Sequence, residues 1–201
     1  MPRQARIVIP GLPHHVMQRG NRRQPTFFRP ADYASYLTIA RDQFGAADVE
    51  VLAYCLMPNH VHLIATPRDE TGLAIAVGRT HLKYTRYINT RETWTGCLWQ
   101  GRFQSSPMDN VYFRRCVRYV GLNPVRAGLV DRALEWPWSS VQAHLGLRVD
   151  RLIAPVAVNA VLDEEGDGFF DVDMRADDLA RLRASLREGR PLAEAGERIR
   201  D

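Results

Sequence analysis

The chain has 201 residues, 45% of them apolar and 25% charged, the proportions of an ordinary globular protein with room for one packed domain and an appendage. No apolar stretch approaches bilayer length, and the opening MPRQARIVIPGLPHH has no signal-peptide core; the expectation is a cytoplasmic protein with no membrane partner. Cys55, Cys97 and Cys116 are far apart and form no CxxC pair, which excludes a zinc knuckle or a disulfide framework and predicts reduced thiols.

The elements read in chain order as follows. His14–Gln18 is a short strand, closed by the turn Arg19-Gly20-Asn21-Arg22. Pro30-Ala31-Asp32 opens a helix in which Tyr33, Tyr36, Leu37, Ala40 and Phe44 recur at helical spacing. Val49–Met57 is a β-rich apolar run, Pro58-Asn59 a turn, and His60–Thr66 a second strand. Thr71–Asn89 is a helix with Arg79, Lys83 and Arg86 on its basic side, and Leu98–Met108 contains a strand. Val111–Leu122 is a helix ended by Asn123-Pro124, because a residue before proline is pushed out of the α region.

The order β-α-β-β-α-β-α predicts an α+β fold, a ferredoxin-like split βαβ sheet with helices on one face. From about residue 146 the character changes. Asp163–Asp178 is acidic, Leu179–Leu186 a short helical candidate, and Arg190–Asp201 a loose end. The expected organisation is a domain over residues 1–145 and an acidic, partly helical tail over 146–201.

Charge follows the same division. Residues 1–150 hold 19 Lys and Arg against 11 Asp and Glu, and residues 151–201 hold 8 against 12. A basic body suits a polyanionic partner. An acidic tail beside it could screen that partner's groove, in which case truncation near residue 150 raises affinity.

His60-Val61-His62 carries the first chemical signal. Alternation along a strand puts both imidazoles on one face, where two can chelate one divalent ion. Taken alone, the pair is more often two surface histidines on a polar sheet face. A third alternating His at position 64 would mark a histidine-triad nucleotide hydrolase; that position is Ile64. The second signal is Tyr119 and Asn123, four apart and so on one helical face, a phenol nucleophile and an amide ligand for the same ion. A core aromatic and a helix-ending Asn would give the same letters. Tyr84 and Tyr87 have no polar ligand four residues on.

Five runs together resemble the REP-associated tyrosine transposases, relatives of the insertion-sequence transposases that move single-stranded DNA. They are His15–Asn21 (HVMQRGN), Leu56–Leu63 (LMPNHVHL), Leu98–Phe103 (LWQGRF), Arg118–Val130 (RYVGLNPVRAGLV) and Trp136–Ser140 (WPWSS). Their order and spacing cover about residues 10–145. The resemblance implies a catalytic domain of the HUH type, named for its His-hydrophobe-His site, here His60 and His62. It implies Mg²⁺ or Mn²⁺, and attack by Tyr119 on a DNA phosphate to give a 5′-phosphotyrosine. Insertion-sequence relatives have Gln where this chain has Asn123, so the third ligand is shorter. Imidazole ligands favour Mn²⁺ over Mg²⁺.

The expected function is a metal-dependent single-strand endonuclease and strand transferase acting on hairpin DNA of the REP type, as monomer or homodimer, within the nucleoid. The alternative is a non-cleaving DNA- or RNA-binding regulator on the same fold. Arg19, Asn21, Arg22, Arg102, Arg118 and Arg126 lie in or beside the motifs and are the expected DNA contacts. Trp136 and Trp138 are candidates to stack on unpaired bases.

Overall fold

The computed structural model describes residues 6–154, 156–165 and 168–193. The expected loose end therefore lies largely outside the described residues. Four strands form one antiparallel sheet: β1 (His14–Arg19), β2 (Val49–Met57), β3 (His60–Pro67) and β4 (Gln104–Pro107), in the order β2-β3-β1-β4. Between them run α1 (Pro30–Ala46) and α2 (Gly72–Glu92); after β4 come α3 (Asn110–Gly121), α4 (Asn123–Arg126), α5 (Val141–His144), α6 (Val156–Glu165) and α7 (Ala176–Glu188). This is the ferredoxin-like split βαβ arrangement that the element order predicts.

Helices cover both faces of the sheet, not one. Tyr36, Ala40 and Phe44 of α1 and Leu73, Val77 and Tyr84 of α2 pack with Val51, Tyr54, Leu56, Val61 and Leu63 on one side. On the other, Cys116, Val117 and Val120 of α3 pack with Leu52, Ala53, Cys55 and Ile64. The signal was present in Val49–Met57, a nearly unbroken apolar run. A strand solvated on one face alternates; a strand buried on both does not. An irregularity between Val51 and Ala53 also turns consecutive residues to the second face.

α3 ends one residue earlier than Asn123-Pro124 predicts. Leu122 closes it with φ −87°, ψ 1°, and Asn123 then begins the short α4. Tyr119 and Asn123 therefore sit on consecutive helices. The bonds Leu122 N–H to Arg118 O and Arg126 N–H to Leu122 O, both 3.0 Å, carry the helical path across the break. The two side chains stay on one side.

The segment after residue 146 enters the core. Val158, Val161, Phe169, Phe170 and Leu182 are buried with α3. Gly121 makes room for this: a Cβ there would lie 2.5 Å from Phe170 Cε1. The same segment spends its carboxylates on the helices it covers, pairing Glu164 with Arg114, Asp178 with Arg115 at 3.2 Å, and Asp173 with Arg126 at 3.2 Å.

Chain also closes the sheet's two outer edges. Along β2, Ala154 N–H bonds Val51 O, Leu56 N–H bonds Trp138 O, and Ser140 N–H bonds Tyr54 O. Along β4, Leu192 N–H bonds Pro107 O at 2.9 Å and Asp109 N–H returns to Leu192 O at 3.0 Å. The tryptophans serve this packing: Trp138 stacks on Tyr33 at 4.7 Å, and Trp136 Nε1 donates to Leu56 O. Cys55 and Cys116 are buried thiols, and Cys97 is an exposed one. Among the described residues no helix is long and apolar enough to cross a membrane.

Candidate active site

The antiparallel register sets Met17 of β1 opposite His62 and His15 opposite Ile64. The imidazoles of His15, His60 and His62 thus share the face covered by α3. His60 and His62 have ring centroids 4.9 Å apart, nearly perpendicular. Tyr119 comes down from α3, with its ring 5.6 Å from His62 and 5.6 Å from His15. Tyr84 and Tyr87, a helical tyrosine pair, belong to α2 beneath the opposite face, and the Tyr84 hydroxyl donates to Thr26 O.

Hydrogen bonds decide which nitrogens are available. His60 Nδ1 donates to Asn59 Oδ1 at 2.6 Å, leaving Nε2 as its lone pair. His62 Nδ1 pairs with His15 Nε2 at 2.9 Å. If His62 donates in that bond, its Nε2 is also a lone pair; if His15 donates, it is not. Two imidazole lone pairs on rings 4.9 Å apart suit a divalent cation, so this donor pair fits a metal in the His62-donating tautomer, although among the described residues no group of three or more His, Cys, Asp or Glu side chains is arranged to hold one.

Electrostatics favour the neutral, ligating form. Burial first, then the charge of Arg19, lowers the pKa of His60 to about 4. Burial lowers His62 well below the usual histidine range, with His60, His15, Arg126 and Arg19 adding to it. Burial alone takes His15 to about 3.

Asn123 fits a metal less simply. Its Oδ1 lies 3.3 Å from Arg126 Nη2, and its Nδ2 is buried without a partner. The Arg126 guanidinium also bonds Tyr119 O and lies over the Tyr119 ring, 4.6 Å from the centroid. Arg126 therefore ties nucleophile candidate and amide together, and it competes for the oxygen a metal would use.

Around these groups is a cavity of about 880 Å³. Arg19, Arg23, Arg102, Arg126, Arg183 and Arg187 line it, together with His60, His62, Tyr119 and Asn123, and no carboxylate among the described residues does. Of the residues expected from sequence, Arg19, Arg102 and Arg126 reach this cavity. Asn21, Arg22 and Arg118 are not part of its wall. Arg118 turns toward the later segment, donating to Phe169 O at 3.1 Å and covering the Phe169 ring.

Sequence reasoning missed His15, Arg23, Arg183 and Arg187. His15 had a readable signal, since it is an alternating strand residue in the HVMQRGN run. Arg23 is brought in by a turn in which Arg22 and Arg23 both have positive φ, 53° and 61°, and which Asn59 Nδ2 holds by donating to Arg23 O. Arg183 and Arg187 are four apart on one helical face, but nothing local says that α7 lies over the site.

Three further histidines are buried and held neutral, which predicts an acid response. Burial lowers His14 and His144 to about 4 and His81 to about 3. Unfolded, each titrates near ~6.5. Because the folded values are depressed, the unfolded chain binds more protons below that point. Stability is complete above pH ~6.5 and is lost as pH falls toward the folded values, by on the order of 1 kcal/mol per pH unit per group. The thermal midpoint should be flat above neutrality and fall steeply between pH ~6.5 and ~5; a midpoint unchanged over that interval refutes it.

Comparison with known proteins gives the family. The chain is 27% identical over 125 residues to a Haemophilus influenzae protein described as a REP-associated tyrosine transposase, covering 53% of this chain and 71% of that one. It is 24% identical over 92 residues to the REP-associated tyrosine transposase of Escherichia coli K12, covering 45% of this chain and 53% of the relative. Its fold is similar to that of a REP-associated tyrosine transposase solved bound to a REP hairpin, with a TM-score of 0.59, 22% identity, and coverage of 78% of this chain and 93% of the other. Residues 9–123, more than half of the sequence and including His60, His62, Tyr119 and Asn123, match the family model described as transposase IS200-like, and the chain belongs to that family.

Proposed function

We propose that the protein is a metal-dependent single-strand DNA endonuclease and strand transferase that cuts hairpin-associated DNA through a 5′-phosphotyrosine. The observation that carries this reading is the approach of Tyr119 to within 5.6 Å of the His62 ring inside a cavity lined by arginine. A phenol, paired imidazoles and a cationic wall with no carboxylate among the described residues are the parts that phosphodiester transfer needs.

In the proposed step the Tyr119 oxygen attacks phosphorus. The phenol gives up its proton to solvent, the bond from phosphorus to the 3′-oxygen breaks, and that oxygen leaves with the electron pair and takes up a proton from solvent as a free hydroxyl. One phosphodiester replaces another, so the reverse attack by a 3′-hydroxyl rejoins strands without ATP. His60 and His62 would hold Mn²⁺ or Mg²⁺ through Nε2, with Asn123 as a third ligand once Arg126 releases its oxygen. The ion would polarise the phosphoryl oxygens and stabilise the developing charge. Arg19, Arg23 and Arg102 would seat the backbone phosphates.

The relative solved with a REP hairpin supports the choice of probe. Binding is expected to be tighter for a hairpin with single-stranded flanks than for a perfect duplex of the same sequence, and to weaken steeply with salt as counterions are released. Anisotropy titrations of both probes check this. Equal affinity for the two refutes the substrate class. Tight hairpin binding with the strand left intact under Mn²⁺ favours the non-cleaving regulator.

A further inference from the structure

α7 lies beyond residues 9–123, the segment the family model matches. Its buried side, Leu182, Ser185 and Leu186, faces the domain. Leu182 joins the α3 core, and the Ser185 hydroxyl pairs with that of Ser106 on β4. That packing fixes the rotation of the helix. Ala180, Arg183 and Arg187, at positions i, i+3 and i+7, then share an exposed face, and all three line the cavity that holds Tyr119 and His62.

The two cations do nothing visible for the fold. Among the described residues neither Arg183 nor Arg187 forms an ion pair or hydrogen bond, while the acidic neighbours of α7 are used elsewhere: Asp178 pairs with Arg115 and Asp173 with Arg126. Both arginines instead sit beside other cations. Burial lowers the proton affinity of Arg126, and the charge of nearby Arg183 adds to it. Arg187 lines the same wall as Arg102. Arg183 and Arg187, with no ion pair of their own among the described residues, add positive charge to this cationic wall at a cost in stability to the empty protein. They are compensated when a polyanion enters.

We propose that α7 is a wall of the DNA seat, with Arg183 and Arg187 binding backbone phosphates of the strand held at Tyr119. This rests on the reading of the cavity as a DNA-cleavage site and assigns to it a partner surface from outside the matched family segment. It reverses the expectation from net charge. The segment is acidic on the whole, but Glu164, Asp178 and Asp173 pair with Arg114, Arg115 and Arg126 while Arg183 and Arg187 line the cavity, so the face it turns to the cavity attracts DNA instead of screening it.

The test uses the full chain and three proteins: wild type, R183Q/R187Q, and R79Q/R86Q, which removes the same charge from exposed positions of α2 on the far side of the sheet. Each is titrated with a labelled hairpin bearing single-stranded flanks across a series of salt concentrations, and thermal midpoints are taken in parallel. The α7 variant should bind about tenfold or more weaker than wild type. Its salt slope should flatten by about 1.4, two phosphate contacts at about 0.7 each for single-stranded DNA. Its midpoint should be unchanged or raised, because like-charge repulsion is relieved. The α2 variant should keep wild-type affinity. An α7 variant with wild-type affinity and slope overturns the proposal, as does one no weaker than the α2 variant. Wild type that binds no hairpin overturns the cleavage-site reading itself, a distinct result.

Discussion

Tyr119→Phe is expected to abolish cleavage, by at least about 10⁴-fold, while leaving DNA binding within a factor of two or so of wild type. The substitution removes one oxygen and keeps the ring that contacts His15 and His62 and lies under the Arg126 guanidinium, so packing survives. Wild type incubated with a labelled hairpin and Mn²⁺ should yield a protein–DNA adduct that withstands boiling in detergent. Peptide mapping should find the label on the segment around Arg118-Tyr119-Val120. An adduct on Tyr84 or Tyr87 would require DNA to reach the opposite face of the sheet. Cleavage without any adduct would mean that water is the nucleophile and the protein a hydrolase.

His60→Ala and His62→Ala are each expected to eliminate metal-dependent cleavage, a loss of several kcal/mol of transition-state stabilisation or ~10³-fold and more. DNA binding should persist, because the arginines remain. His15→Ala separates a ligand from its support. It removes the imidazole paired with His62 Nδ1, so the His62 ring loses its orientation and Mn²⁺ affinity should fall about 10- to 100-fold, with cleavage restored at high Mn²⁺. Isothermal titration with Mn²⁺ alone, without DNA, reads the affinity directly. Full cleavage by EDTA-treated wild type defeats the metal reading. Wild-type Mn²⁺ affinity in the His15 variant confines that residue to packing.

Local pattern made much of the fold legible. The apolar run Val49–Met57 and the alternation through His60-Val61-His62 gave β2 and β3, and proline at Pro30 gave the start of α1. β4, with the sequence Gln104-Ser-Ser-Pro107, has almost no β signal of its own and is a strand because it pairs with β1; such an element is set by tertiary context. The site divided the same way. Spacing within one element placed His60 with His62, and the near-helical Leu122 kept Tyr119 with Asn123. The contributions of Arg183 and Arg187 depend on where α7 docks, which is fixed by Leu182 and Ser185 meeting distant partners. The turning of Arg118 toward Phe169 is equally non-local. Overall charge does not show that Glu164, Asp173 and Asp178 pair with other arginines while Arg183 and Arg187 line the cavity.

The closing of both sheet edges has a consequence for solubility. An open strand edge is a row of unmet donors and acceptors, and it invites another chain to pair with it. Here residues 138–140 and 154 satisfy the rim of β2, and Leu192 satisfies that of β4. Two of these guards, Ala154 and Leu192, belong to the segment after residue 150. A protein cut there would expose the backbone of β4 and part of β2, as well as the apolar surface under Phe169, Phe170 and Leu182. Such a fragment would self-associate through strand addition, and its apparent hold on DNA would rise with protein concentration for reasons unrelated to the arginines. Point substitutions on the outer face of α7 leave those guards in place, and are the sounder way to ask what the segment contributes.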